Sequence, residues 1–260
     1  RQIQNVISAL DKTLRPAAIV LRNDSPSRKT EGLESYVETV SGSLPESVFV
    51  EENGTRFEID VLTGQKTGWF YDHRLSRARM AAWVKGKTVL DVYSYIGGWG
   101  VQAAAFGAER VCCVDSSAAA LEGVDVNAAL NGLGDRVTTR QGSATEVMAA
   151  LGEEGQQFDV VILDPPAFIQ RRKDLKKGAA AYRRINEMGL RLLAPGGVLI
   201  AASCSMHLSR AELLAALAQA AVRAGCALRV VEQGGQGPDH PLHPAIPETE
   251  YLKAVFALKS

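Results

Sequence analysis

The chain has 260 residues, with 29 Lys and Arg against 29 Asp and Glu, 46% hydrophobic and 22% charged residues. This composition excludes a disordered, collagenous or coiled-coil chain, and a length of this order forms one large domain or one with a small appendage. No window approaches the roughly 18 consecutive apolar residues of a membrane span and no secretory leader pattern is present, so the reading is a soluble cytoplasmic chain with no membrane partner. Zero net charge argues against a chain that is basic throughout, while a local basic patch for nucleic acid stays open.

Residues 1–62 read as a small α+β module. Residues 3–14 are weakly helical, 17–21 form a short apolar strand, and 25–42 are polar with turn residues. Residues 48–52 and 55–61 flank Asn53-Gly54, the preferred pair of a two-residue type I′ hairpin turn, where both positions need φ > 0. The boundary falls near residues 62–72, which are Gly-rich and carry Lys66, Trp69 and His73, so that residues 63–260 form the second domain. There the short apolar runs 88–92, 110–114, 137–140, 159–163 and 198–202 alternate with helical stretches at 101–107, 117–131, 144–151, 179–193 and 209–224. With the runs 227–231 and 251–258 they predict an α/β fold, Rossmann-like, with a roughly seven-stranded, mostly parallel sheet and helices on both faces.

The four cysteines, Cys112, Cys113, Cys204 and Cys226, show neither C-x-x-C spacing nor a His pair at zinc-ligand spacing, so no disulfide framework and no metal site is expected. The chain begins at Arg1 rather than Met, and the expectation is that it is a fragment or processed product.

Asp91 closes the first strand of the second domain. Tyr93, Ser94, Gly97, Gly98 and Gly100 follow and turn the chain into a helix. The carboxyl end of such a strand is where a nucleotide-like ligand sits in an open α/β sheet. A tight turn with no ligand is the simpler alternative. Asp115, ending the second strand beside Ser116, is placed to accept hydrogen bonds from ribose hydroxyls. A dinucleotide oxidoreductase would share that acid, but the glycines do not follow G-x-G-x-x-G. Asp91 stands where a cationic amino-acid group could be neutralised, whereas pyrophosphate prefers bare backbone N–H groups. S-adenosylmethionine fits better than NAD.

After the fourth strand of the core comes Asp164-Pro165-Pro166-Ala167-Phe168. The prolines force an extended exit and hold the Asp164 carboxylate at the cofactor crevice. Phe168 is either a stacking platform for a base or ordinary core. After the fifth strand comes Ser203-Cys204-Ser205. A lone cysteine is most often a buried hydrophobe, and Cys112, Cys113 and Cys226, read as lying within apolar strands, are assigned to the core. Cys204 differs because it stands where a strand ends at the crevice. Carbon 5 of a pyrimidine is too poor a nucleophile to attack a sulfonium methyl group unaided. A thiolate added to carbon 6 activates it and is expelled when the carbon-5 proton leaves. Asp164 is the natural contact for the N3/N4 edge.

These residues resemble the ribosomal RNA large subunit methyltransferase I family, class I S-adenosylmethionine-dependent 5-methylcytosine RNA methyltransferases. The similarity runs over residues 48–258 and includes Glu52-Asn53-Gly54, the segment 64–74, the Asp91 to Gly98 loop, Asp164-Pro165-Pro166, Ser203-Cys204-Ser205, Asp239-His240-Pro241 and Tyr251-Leu252-Lys253. It implies cofactor roles for Lys66, Thr67, Gly68 and Arg74 in addition to Asp91, Tyr93, Ser94, Gly97, Gly98, Asp115, Ser116, Asp164 and Pro165. Where many relatives carry an acidic residue near the adenine, this chain has Gly142-Ser143, and Ser143 takes that place. Catalysis is assigned to Cys204 and Asp164, with His207, His240 and Glu250 as open choices for the proton-removing base. The resemblance also implies large-subunit ribosomal RNA as partner, a homodimer in some relatives, and an upstream RNA-binding PUA domain that this chain lacks.

Arg171, Arg172, Lys173, Lys176 and Lys177 put five positive charges into seven residues directly after the Asp-Pro-Pro loop. Such a run is usually a solvated loop. Beside a base pocket, with Phe168, it reads as a phosphate-attracting strip extended by Arg183 and Arg184, facing a single-stranded or flipped nucleotide. Two other readings remain: an amino-group methyltransferase that uses the Asp-Pro-Pro loop without a thiol, and a nucleic-acid-binding module that keeps the fold without turnover. A dehydrogenase fits least.

Overall fold

The computed structural model describes residues 2–260. Its backbone forms two compact units: the chain up to Val50 with Phe57–Phe70, and Glu51–Arg56 with Tyr71–Ser260.

In the first unit, helix α1 (Ile3–Leu14) ends where Arg15 turns left-handed at φ 46°. Strand β1 (Ala18–Asn23) is followed by the short helix α2 (Ser27–Thr30) and by β2 (Tyr36–Gly42), which runs antiparallel to β1 from Ala18 opposite Gly42 to Asn23 opposite Tyr36. The sequence shows no strand signal at β2 because Glu38, Thr39 and Ser41 interrupt it and most of it is exposed. Gly42 is required there: at φ 67°, a Cβ would stand 1.9 Å from the Ala17 carbonyl oxygen. Arg22 pairs with Asp24 at 3.0 Å and donates to the carbonyls of Val61 and Gly64. Phe57 packs on Trp69, with ring centroids 4.4 Å apart.

The hairpin of β3 (Val48–Glu52) and β4 (Thr55–Ile59) turns at Asn53 and Gly54, with φ of 53° and 77°, the left-handed pair that a type I′ turn demands. Its tip belongs to the second unit. There Glu52 is buried and takes Arg77 on both oxygens, Nε at 2.5 Å and the second guanidinium nitrogen at 2.9 Å, while Gln102 Nε2 donates to it at 2.9 Å. Asn53 Nδ2 donates to Gln102 Oε1 and to the Arg74 carbonyl.

The second unit continues with α3 (Arg74–Val84), β5 (Thr88–Val92), α4 (Gly100–Ala105), β6 (Arg110–Asp115), α5 (Ala118–Leu130), β7 (Val137–Gln141), α6 (Ala144–Glu153), β8 (Phe158–Leu163), α7 (Leu175–Leu192), β9 (Leu193–Ser203), α8 (Arg210–Ala224), β10 (Leu228–Gly234) and β11 (Lys253–Lys259). Helix α3 carries weak sequence signal because its buried face includes Ser76 and Arg77. The seven strands lie in the order β10-β11-β9-β8-β5-β6-β7. The central β9, β8, β5, β6 and β7 are parallel, and β11 is antiparallel to both β9 and β10. Val89, Leu90, Val92 and the run Val160, Val161, Ile162 and Leu163 are wholly or almost wholly buried, as strands covered on both faces must be. From β5 the chain first builds outward through β6 and β7, then returns to the other side of β5 with β8. The crevice at that reversal, outside the carboxyl ends of β5 and β8, is where such sheets bind ligands.

Candidate active site

The glycine loop leaves β5 through Tyr93 at φ 67°, Tyr95 at φ 50° and Gly97 at φ 87°. The N–H groups of Tyr93 and Ser94 both donate to the Val114 carbonyl, and that of Gly97 to Ser94. Gly100 opens α4 in a space that admits no side chain: a Cβ would meet Cys113 Sγ at 2.3 Å and Asp91 Oδ2 at 3.0 Å. Asp91 is fully buried. Its Oδ2 accepts the Gly100 N–H at 2.8 Å, so the residue first of all braces the loop. Its Oδ1 and the buried Ser94 hydroxyl have no hydrogen-bond partner among the described residues. Burial pushes the Asp91 carboxyl up to about 8, the Gly100 N–H opposes this, and the charges of Asp164 and Asp115 add to it. A buried carboxylate oxygen and a hydroxyl, both unanswered within one left-handed loop, suit a polar ligand group bearing positive charge.

Asp115 ends β6. Its Oδ2 accepts from Tyr95 N–H and its Oδ1 from Ser117 N–H, each at 3.0 Å, which leaves a lone pair on each oxygen for hydroxyl donors. Ser116 beside it is exposed. Ser143 caps α6, accepting from Glu146 N–H and donating to the Glu146 carboxylate at 2.7 Å. The donor set therefore fits S-adenosylmethionine at Asp91, Ser94 and Asp115.

Asp164, at the end of β8, is partly exposed and held from two sides. Trp99 Nε1 donates to Oδ2 at 2.9 Å, and His73 Nε2 lies 3.3 Å from Oδ1. Burial pushes this carboxyl up, but the charge and hydrogen bond of His73, the Trp99 indole and Arg77 outweigh it and hold it below the usual carboxylate range. Pro165 is buried and Pro166 exposed. Phe168 is partly buried between Tyr93, 6.5 Å away edge-on, and Tyr182, 4.9 Å away.

Cys204 follows β9 directly and is partly exposed. All four cysteines are thiols. Ser203 and Ser205 on either side of Cys204 are buried and tied to the Tyr182 hydroxyl, each at 2.9 Å. Ser205 Oγ also accepts the Ile169 N–H. Cys113 is fully buried as expected. The other two differ from expectation: Cys112 lies in β6 but is only partly buried, and Cys226 lies between α8 and β10 rather than within a strand, packing on the core from its edge.

Of the remaining expected residues, Arg74 opens α3 with its guanidinium 3.4 Å from Asp239. Lys66, Thr67 and Gly68 belong to the first unit, where Lys66 Nζ stands 4.2 Å from the Phe70 ring centroid and a Cβ on Gly68 would meet the Asp60 carbonyl oxygen at 2.7 Å. Arg171 pairs with Asp174 at 3.0 Å. Arg172, Lys173, Lys176 and Lys177 are exposed, the last two in the first turn of α7, where the helix dipole disfavours cations. His240 lies 3.6 Å from Asp239, His207 is partly buried and Glu250 exposed. His73, Trp99, Tyr182 and Lys253 were not singled out as site residues from the sequence. His73 and Lys253 fall within segments that carry the family resemblance, but that resemblance gives them no role, and spacing does not reveal the loops beside which all four stand.

Residues 27–256 match the family described as S-adenosylmethionine-dependent methyltransferase. The chain is 37% identical, over 99% of its length, to "Ribosomal RNA large subunit methyltransferase I" of Vibrio vulnificus (strain YJ016). It is 39% identical, over 92% of its length, to the protein of the same name from Shewanella denitrificans. It spans 66% and 61% of those relatives' own lengths. Its backbone superposes with TM-score 0.82 and 19% identity on SMU.776, described as a methyltransferase complexed with S-adenosylhomocysteine, covering 99% of this chain and 66% of that one. The fold agrees with these relationships, and the chain belongs to the S-adenosylmethionine-dependent methyltransferase family.

Proposed function

We propose that this chain carries the catalytic centre of an RNA methyltransferase that modifies carbon 5 of a cytosine in large-subunit ribosomal RNA, with Cys204 as nucleophile. The observation that carries the reading is the position of Cys204: it follows β9 at the carboxyl edge of the sheet, partly exposed, next to the strand that ends in Asp164 and one further from the glycine loop. Bound S-adenosylmethionine supplies an electrophilic methyl group. Asp91, Tyr93, Ser94, Gly97, Gly98, Asp115, Ser116, Ser143 and Pro165 hold it, joined by Arg74.

The Cys204 thiolate adds to carbon 6 and places electron density on carbon 5. After carbon 5 is methylated, loss of its proton re-forms the ring double bond and the sulfur leaves. Asp164, kept ionised by His73 and Trp99, accepts a hydrogen bond from an exocyclic amino group, which favours cytosine over the carbonyl that uracil presents at the same position. The name that the relatives carry and the exposed cations after the Asp-Pro-Pro loop support ribosomal RNA as partner.

The test is Cys204→Ala with large-subunit ribosomal RNA and with RNA bearing 5-fluorocytidine. Loss of both methylation and the trapped protein–RNA adduct supports the reading. Retained methylation in Cys204→Ala refutes it and moves the chemistry to an exocyclic amine presented to Asp164.

A further inference from the structure

Lys253 is the first residue of β11, directly opposite Ser203 in the antiparallel pairing with β9. It is 2% exposed. Its Nζ donates to the Ser205 carbonyl at 2.7 Å, which holds the amine at the residue that follows Cys204. A buried ammonium is costly without an anionic partner. Of the groups that favour its charge, Cys204 comes first, ahead of Glu250 and Glu212, while Arg210 opposes it.

Two phenols also feel the Cys204 charge. Tyr182 of α7 and Tyr251, which donates to Asp72 at 3.0 Å, are both pushed above the ordinary tyrosine value, chiefly by burial. They remain protonated and cannot take a proton from sulfur. Burial moves Lys253 the other way, down to about 8, so a neutral amine is accessible near physiological pH.

We propose that Lys253 is the proton acceptor that converts the Cys204 thiol into the nucleophilic thiolate. The S–H proton passes to the Nζ lone pair, giving thiolate and ammonium with no change in net charge. A sulfur electron pair then forms the S–C6 bond. When that bond breaks, its electrons return to sulfur, the ammonium gives the proton back, and the carbon-5 proton leaves to solvent as the net proton released. The assignment rests on Cys204 being the nucleophile.

The experiment measures iodoacetamide alkylation of Cys204 against pH, read on the Cys204 peptide by mass, in the whole chain and in Lys253→Met and Lys253→Arg. Calorimetry with S-adenosylhomocysteine confirms that each variant is folded. In the unmodified chain the midpoint lies below the ~8.5 of an isolated thiol. Lys253→Met raises it by about one unit and slows alkylation at neutral pH about tenfold. Lys253→Arg, whose permanent cation stabilises the thiolate but has no lone pair to take its proton, does not raise it and slows methyl transfer, so parent-level methyl transfer in the Arg variant overturns the role of proton acceptor. An unchanged midpoint in a folded Met variant, or an Arg variant that raises the midpoint as far as Met does, overturns the proposal. Should the Met variant not fold, a raised midpoint with Arg alone overturns it. Methyl transfer is read separately. If Cys204→Ala still methylates, the nucleophile reading fails even though the alkylation shift persists. If Cys204→Ala is inactive and the Met profile does not move, Lys253 alone is rejected.

Discussion

Replacing Asp91 with Asn perturbs the buried carboxyl of the glycine loop and leaves its brace in place, because the amide oxygen can still accept the Gly100 N–H. The carboxyl is raised from 3.8 to about 8, so the folded chain binds a proton there that the unfolded chain has released. The stability that this proton provides is complete below about pH 4 and is lost steadily as pH rises to about 8, beyond which it is flat. Each pH unit corresponds to about 1.4 kcal/mol, and roughly three units separate pH 7 from the unfolded value, so keeping Asp91 protonated in the fold costs the unliganded protein about 4 kcal/mol at neutral pH relative to low pH. The Asn amide nitrogen, placed where Oδ1 now has no partner, costs about 1–3 kcal/mol. Asp91→Asn is therefore more stable than the parent by about 1–3 kcal/mol at pH 7, a rise in melting temperature of about 2–10 °C, and this advantage shrinks toward pH 4. Affinity for S-adenosylhomocysteine is expected to move the opposite way, falling about tenfold or more with loss of the charge-assisted contact proposed between Asp91 and its ammonium. Thermal melts of both proteins between about pH 4.5 and 8, with calorimetry at pH 7, measure the two effects. A stability difference that does not change with pH would refute the reasoning.

Gly100→Ala places a methyl group against Cys113 Sγ and Asp91, and is expected to cost about 1–3 kcal/mol of stability and to abolish S-adenosylhomocysteine binding in calorimetry. His73→Leu removes the imidazole nitrogen 3.3 Å from Asp164, one of the groups that hold that carboxyl down, so that burial raises it. Carboxylate-dependent activity, present above the Asp164 value and lost as pH falls through it, then disappears at higher pH than in the parent, with kcat/KM about tenfold lower at neutral pH. Superimposable pH–rate profiles would exclude that role for His73. Lys176→Ala with Lys177→Ala is expected to weaken RNA binding to a similar extent across sequences and to reduce the slope of log affinity against log salt by about 1–2, measured by filter binding in a salt series.

Much of this architecture was legible because short-range physics wrote it into the chain. Strands covered on both faces must be apolar throughout, so β5, β8 and the end of β9 stand out as runs between helical spacers. The turn at Asn53-Gly54 needs two left-handed residues, and few pairs of amino acids supply them. The loops ending in Asp91, Asp115, Asp164 and Cys204 could be placed at one edge of the sheet because parallel strands all present their carboxyl ends there. Strand β2 and helix α3 escaped notice because the exposed polar residues of the one and the buried Arg77 of the other break the periodicities by which such elements are recognised.

Partners brought together from distant parts of the chain lay beyond sequence reasoning. Residue order says nothing of which loop Trp99 and His73 turn toward, that Gln102 and Arg77 share the Glu52 carboxylate, or that Lys253 bonds the carbonyl next to Cys204. Local pattern determines which residues are apolar, capped or turned. The charge state of Asp91 and the setting of Cys204 depend on how much water the packed helices and strands exclude and which donors they leave facing these groups. Those quantities exist only once the chain has folded.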